Sequence, residues 1–212
     1  MLDRRIGCYC FPGTDRFMRT YEDSARSDGF SIIAGLDEAG RGPLAGPVVA
    51  AAVVFPDDYT NDRITDSKKL SAKKRASLYD DIYRDALTVG IGIVDAVEID
   101  RINILQASLL AMAMAVENLF PQPDFLLIDG TFTIPRPVGQ RPIVKGDSAS
   151  ISIAAASIVA KVSRDNMMER YHLDYPEFGF SQHKGYPTKA HRNAIFQYGP
   201  TLIHRASFTV RP

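Results

Sequence analysis

A chain of 212 residues, 45% of them hydrophobic, can bury one sizeable core, which excludes a natively disordered composition and makes one globular domain the expected plan. Its 25 Lys and Arg balance its 25 Asp and Glu, so no global basic field attracts a polyanion and any such surface has to be a local patch. No apolar run approaches the roughly 20 residues that span a bilayer and the N-terminus lacks the charged-then-apolar plan of a signal peptide, so a cytoplasmic protein without membrane contact is expected.

Residues 1–30 are rich in Arg, Asp, Ser and Thr and follow neither a two-residue nor a 3.6-residue period, which predicts a mobile extension before a domain over 31–212. Cys8 and Cys10, the only cysteines, are poorly spaced for a disulfide and too few for a zinc site. Ile32 to Asp37 and Val48 to Phe55 are β-rich apolar runs joined by a Gly/Pro-rich turn, and Thr88 to Val94 is a third. Between them Ser71 is a plausible N-cap for a helix whose apolar side carries Tyr79, Ile82, Tyr83 and Ala86. Lys73, Lys74 and Arg75 in its first turns oppose the helix dipole, so helix stability is not their obvious purpose.

A longer helix is predicted over Ile99 to Phe120, stopped by Pro121, followed by a buried-type strand from Phe125 to Ile128 that ends at Asp129-Gly130. After a proline-rich loop, Ile143-Val144 leads to Lys145-Gly146-Asp147 and a helix with Ile151, Ala155, Ile158 and Val162 on one face. A short helix near Thr188 to Tyr198 and an irregular tail close the chain. Strands come first and then alternate with helices, which reads as an α/β or α+β arrangement around a mixed sheet, with no internal repeat.

Asp37, Glu38, Asp129 and Asp147 each lie where a predicted strand or strand-like run meets a glycine or a helix start, the edge at which a sheet gathers ligand sites. Brought together, their repulsion would raise some of their pKa values unless cations neutralise them. An all-oxygen donor set selects Mg²⁺ or Mn²⁺ over zinc, and two such ions about 4 Å apart suit phosphodiester hydrolysis. Neighbours on a regular strand point to opposite faces, so either the strand ends at Asp37 or Glu38 reaches round. Gly40-Arg41-Gly42, directly after, offers close main-chain approach and charge to a polyanion.

A series of motifs runs through Asp37-Glu38-Ala39-Gly40-Arg41-Gly42-Pro43, Asp66-Ser67-Lys68-Lys69-Leu70, Asn103-Ile104-Leu105-Gln106-Ala107 and Leu127-Ile128-Asp129-Gly130. It continues with Lys145-Gly146-Asp147, the stretch from Ala155 to Asp165, His183-Lys184-Gly185-Tyr186-Pro187 and His204-Arg205-Ala206-Ser207-Phe208. The series resembles the bacterial ribonuclease HII family, in that family's order from about residue 31 onward.

The resemblance implies a ribonuclease H-like α/β fold, a central mixed five-stranded sheet flanked by helices, with a small helical C-terminal segment. It implies a two-metal site formed by Asp37, Glu38, Asp129 and Asp147, taking Mn²⁺ or Mg²⁺. It also implies that Gly40, Arg41 and Gly42 read the ribose 2′-hydroxyl and that Tyr186 packs on the sugar across the RNA–DNA junction. Lys68, Lys69, Lys184 and Lys189 then become expected phosphate contacts. Asp165 is expected to pair with Lys161 one turn earlier, and His183 reads as a surface histidine in preference to a proton carrier.

The implied activity is hydrolysis on the 5′ side of ribonucleotides, in RNA–DNA hybrids or embedded singly in duplex DNA, leaving 3′-hydroxyl and 5′-phosphate ends. A binding module that kept the fold and lost the site would lack a carboxylate, and all are present. Ribonuclease HIII resembles this fold but carries an additional N-terminal domain and lacks the Gly-Arg-Gly loop. No sliding-clamp peptide follows Phe208, so a monomer that finds its substrate unaided is expected.

Overall fold

The computed structural model describes residues 18–209, so Cys8 and Cys10 lie outside the described residues. Five strands form one mixed sheet: β1 (Ile33–Ala39), β2 (Val48–Val54), β3 (Thr88–Val94), β4 (Phe125–Asp129) and β5 (Gly139–Ile143), in the order β3-β2-β1-β4-β5. β1 pairs antiparallel with β2 and parallel with β4, β2 pairs antiparallel with β3, and β4 pairs parallel with β5. The two central strands β1 and β4 therefore end on the same edge of the sheet, carrying Asp37, Glu38 and Asp129 there.

Helices cover both faces, as the apolar character of both sides of β2 requires. One face carries Leu36, Ala50, Ala52 and Ile128 against α4 (Ile104–Glu117), with α3 (Ala96–Ile102) leading into it. The other carries Ala51 and Val53 against α5 (Ile151–Asp174), backed by α2 (Ala72–Asp85). Close approach sets positions that only glycine fits: an added Cβ at Gly35 would overlap the Ser152 and Ile153 backbone, which lets the start of α5 lie directly on β1.

Ser71 caps α2 by accepting from the Lys74 N–H, as expected. The expected single helix over 99–120 is two, α3 and α4, broken at Asn103 with φ 70°. The Asn103 side chain accepts from the Leu105 and Gln106 N–H groups, so one residue stops the first helix in the left-handed region and caps the second. β5 had no strand signal of its own, because its residues are partly polar and include Pro142, which an edge strand tolerates.

The expected extension over residues 1–30 is corrected for its described part. α1 (Thr20–Ser27) packs its Ala25 with Ile33, Leu127 and Ile153, while the buried Glu22 accepts hydrogen bonds from the Ser150 hydroxyl and from the Ser152 hydroxyl and N–H. A carboxylate at the first turn of α5 complements the helix dipole and ties the N-terminal segment to the core. The C-terminal segment, α6 (Phe180–His183) and α7 (Lys189–Tyr198), packs Phe178, Phe180 and Ala194 against Met168 of α5 and Ala45. No helix among the described residues is long and apolar enough to cross a membrane.

Candidate active site

β1 continues through Asp37 and Glu38 to Ala39, so the two side chains leave on opposite faces of the sheet. Asp37 turns toward α5, is buried, and accepts the Glu38 N–H at 2.7 Å. Glu38 reaches round the strand end and meets Arg41 at 3.1 Å. Asp129, at the end of the neighbouring parallel strand, accepts the Gly146 N–H at 2.7 Å, which binds the turn holding Asp147 to the end of β4. Asp147 sits buried in the 3₁₀ turn Gly146–Ser148, and Ser150, not Asp147, caps α5.

Asp37, Glu38 and Asp129 share one cleft of about 370 Å³, also lined by Gly40, Arg41, Lys68 and Tyr186, and Asp147 stands within 3.6 Å of Lys68 of that lining. Burial raises the pKa of Asp37 well above the carboxylate range, and the charges of Glu38 and Asp129 push it further the same way. Burial also raises Glu38, against the pull of Arg41. Asp129 is raised by burial and by Asp147, opposed by its hydrogen bond from Gly146. Lys68 answers part of this charge: its Nζ stands 3.6 Å from Asp147, and the carboxylates of Asp147, Asp37 and Asp66 outweigh burial to raise its pKa.

Such a set of hard, mutually repelling oxygens fits a divalent cation by its chemistry. No three His, Cys, Asp or Glu side chains among the described residues already close into a metal cage, so the acids ring the cleft without enclosing a point within it.

The loop directly after β1 lines the same cleft. Gly40 has φ +98°, and a Cβ there would overlap the side chain of Arg164, so both conformation and space demand glycine. An added Cβ at Gly42 would lie 3.6 Å from Cε1 of Tyr186, which places the Gly-Arg-Gly loop and the Tyr186 ring side by side at the mouth.

A family model described as Ribonuclease HII matches residues 34–211. Over 194 residues the chain is 56% identical to the ribonuclease HII of Syntrophus aciditrophicus, covering 92% of each protein. The chain belongs to the ribonuclease HII family. It is also 53% identical over 191 residues to the ribonuclease HII of Bacillus subtilis, covering 90% of this chain and 74% of that protein. Among solved structures, the Pyrococcus horikoshii ribonuclease H2 superposes with a TM-score of 0.71 at 26% identity, covering 85% of this chain and 95% of that one. The RNase HII of Archaeoglobus fulgidus, solved as a PCNA:RNase HII complex, does so with a TM-score of 0.69 at 25% identity, covering 86% and 97%. The fold is ribonuclease H-like, as expected, and the family is one of ribonucleases.

Within this ribonuclease HII fold the expected site residues divide. Asp37, Glu38, Asp129, Gly40, Arg41, Gly42, Lys68 and Tyr186 line one cleft, and Asp147 joins through Lys68 and Gly146. Lys69 is turned to Asp66 at 3.8 Å and does not line it. The Lys184 ammonium is held by Glu169 at 2.9 Å and by the Ser181 carbonyl, so its side chain is committed elsewhere. Asp165 pairs with Lys161 at 2.7 Å, as expected.

His183 is not a surface histidine. It is half-buried, stacks on His191, faces the Phe178 carbonyl through Nε2 and receives the Gly185 N–H on Nδ1, and burial lowers its pKa. His191 in turn contacts the Tyr186 carbonyl and His204, so the imidazoles brace the turn that carries Tyr186.

Several residues of the cleft are not among the site residues expected from sequence. Ser157 of α5 hydrogen-bonds Ser67 at 2.9 Å and supports Asp37. Arg75 lines the cleft and donates to the Ser67 and Leu70 carbonyls, fixing the turn that presents Lys68, which accounts for a cation at the dipole's unfavourable end. Lys161 also lines the cleft, one turn beyond Ser157.

Proposed function

We propose that this chain is a metal-dependent endonuclease that hydrolyses the phosphodiester on the 5′ side of ribonucleotides, within RNA–DNA hybrids and at single ribonucleotides in duplex DNA, and so makes the incision that begins ribonucleotide removal from DNA. The observation that carries this reading is the shared cleft, which the carboxylates of Asp37, Glu38 and Asp129 line together with the Gly40–Gly42 loop and Tyr186. Asp37, Glu38, Asp129 and Asp147 would hold Mn²⁺ or Mg²⁺, which when bound neutralises these acids and the scissile phosphate and activates water for in-line attack.

The chain's own residues supply selection and placement. The 2′-hydroxyl alone distinguishes a ribonucleotide from its deoxy counterpart, and main-chain groups beside glycine can approach it closely enough to sense it. Tyr186, 43% exposed, offers a flat apolar surface to the adjoining deoxyribose. Lys68 at the cleft, its side chain largely exposed, gives charge for backbone phosphates without reading bases. At a single ribonucleotide, cleavage on the 5′ side also selects the nucleophile: the upstream nucleotide has no 2′-hydroxyl and the ribose's own hydroxyl neighbours the phosphate on its 3′ side, so water has to attack. The enzyme is read as a monomer acting without a clamp.

A duplex with one ribonucleotide, a hybrid duplex and an all-DNA duplex, each incubated with Mg²⁺ or Mn²⁺ and resolved on a denaturing gel, test this. Nicks are expected at the 5′ side of the ribonucleotide in the first, within the RNA strand of the second and nowhere in the third, and none in chelator. Cutting of the all-DNA duplex at a comparable rate would overturn the reading.

A further inference from the structure

Beneath the Gly-Arg-Gly loop lie two arginines that the reading above leaves unused. Arg205 is 2% exposed and Arg164 1% exposed. Neither guanidinium is paired with a carboxylate within ion-pair distance among the described residues; both are spent on main-chain carbonyls. Arg205 donates through Nη2 to Gly40 at 2.6 Å, through Nη1 to Arg41 at 3.0 Å and Pro43 at 2.9 Å, and through Nε and Nη2 to Gly46 at 3.0 and 2.8 Å. Arg164 donates through Nε to Pro47 at 2.9 Å, through Nη2 to Ala45 at 3.1 Å and through Nη1 to Lys184 at 3.0 Å.

The consequence follows from peptide geometry. The bonds between residues 40 and 42 are trans, so each N–H points opposite to the carbonyl of the preceding residue. Drawing the Gly40 and Arg41 carbonyls inward onto Arg205 turns the Arg41 and Gly42 N–H groups outward, on the segment that lines the cleft. Among the described residues neither amide has an acceptor within the protein. Arg164 adds a second constraint, because it grips the far end of this loop and the Lys184 carbonyl together, two residues before Tyr186. The Leu44 N–H to the Gly185 carbonyl, at 2.8 Å, stitches the same two segments.

We propose that Arg205 and Arg164 are positioning residues for ribonucleotide selection: a buried guanidinium frame that presents the Arg41 and Gly42 amides to the ribose and fixes their spacing from Tyr186. The inference rests on the ribonucleotide-directed reading of the cleft. A planar fork with several fixed donors is what this frame requires, and a lysine ammonium, compact and mobile, cannot hold four carbonyls at set angles.

The test follows cleavage of a single-ribonucleotide duplex with Mn²⁺, at saturating and limiting substrate, beside the affinity for an all-DNA duplex, which reports phosphate contacts alone. For Arg205→Ala and Arg205→Lys, turnover at saturating substrate is expected to fall about tenfold or more while all-DNA affinity stays within about twofold. Guanidinium ion added to Arg205→Ala is expected to restore part of the turnover, and to do nothing for Arg205→Lys.

Arg164→Lys, which keeps a cation near the same carbonyls, is expected to show a milder loss of the same kind. Folded Arg205 variants that cut like the parent would overturn the proposal. So would losses of turnover, all-DNA affinity and Tm in parallel without guanidinium rescue, or unfolding of the Arg205 and Arg164 variants alike, since each describes a purely structural role. A parent enzyme without preference for the ribonucleotide fails earlier, before any variant is compared, and removes the reading on which this one rests.

Discussion

Asp37 concentrates the electrostatic tension of the site. It is buried and faces two other carboxylates, against which Ser157, the Glu38 N–H and the charge of Lys68 act in its favour. Its pKa is higher in the folded than in the unfolded chain, so the folded state binds this proton more tightly. In metal-free protein the stability it contributes is present below the ordinary carboxylate range and lost as pH climbs through the raised value. Asp37→Asn, of nearly equal volume, is therefore expected to raise Tm in chelator at pH 8 and to abolish turnover. Each roughly 1 kcal/mol of relieved repulsion corresponds to about 2–4 °C for a chain of this size. Mn²⁺ is expected to raise the Tm of the parent more than that of the variant. Scanning calorimetry with and without chelator decides it, and a variant less stable than the parent in chelator would contradict it.

The four acids and the glycines were legible at this scale because each sits beside a break in an apolar pattern. Ser157, Arg164 and Arg205 were not, and Arg75 stood out only as a cation against the helix dipole, since a helix surface or a tail motif does not reveal which loop will close over it.

Among the elements, legibility followed periodicity. β2, all Val and Ala, and α2 with its Ser71 cap were clear from sequence, whereas β5, polar and holding Pro142, showed nothing until β4 was there to pair with it. α1 was hidden for a related reason: its apolar content is small, and its anchor is a carboxylate, Glu22, whose partners Ser150 and Ser152 lie more than 120 residues away in the chain. The break between α3 and α4 turns on Asn103, which serves two ends at once.

Asn103→Ala removes the cap and places a Cβ-bearing residue without local hydrogen bonds at φ 70°, with an expected cost of about 1–3 kcal/mol. Asn103→Gly keeps the backbone free and is expected to cost a few tenths of that range. Urea denaturation of both variants checks the order. Equal costs would show that the cap, and not the left-handed backbone, dominates there.

At the scale of the molecule, the topology does the assembling. Parallel pairing of β1 with β4 brings Asp37 and Glu38 to the same edge as Asp129, and the Gly146 N–H carries Asp147 to them. The C-terminal segment returns over this edge, its Tyr186 beside Gly42 and its Arg205 beneath Gly40, so selection of the sugar and placement of the phosphate belong to one rigid wall. The order of the motifs along the chain implied the carboxylate ring, but not that the tail would hold the loop from below.

The central claim, that water held at the carboxylates attacks the phosphate 5′ to a ribose sensed by the Gly40–Gly42 loop and Tyr186, is tested most directly by cleavage in ¹⁸O-labelled water with mass analysis of both fragments. One solvent oxygen is expected in the new 5′-phosphate, on the fragment that begins with the ribonucleotide, and none in the 3′-hydroxyl fragment. A 2′,3′-cyclic phosphate on the upstream fragment, with no label in a 5′-phosphate, would contradict it.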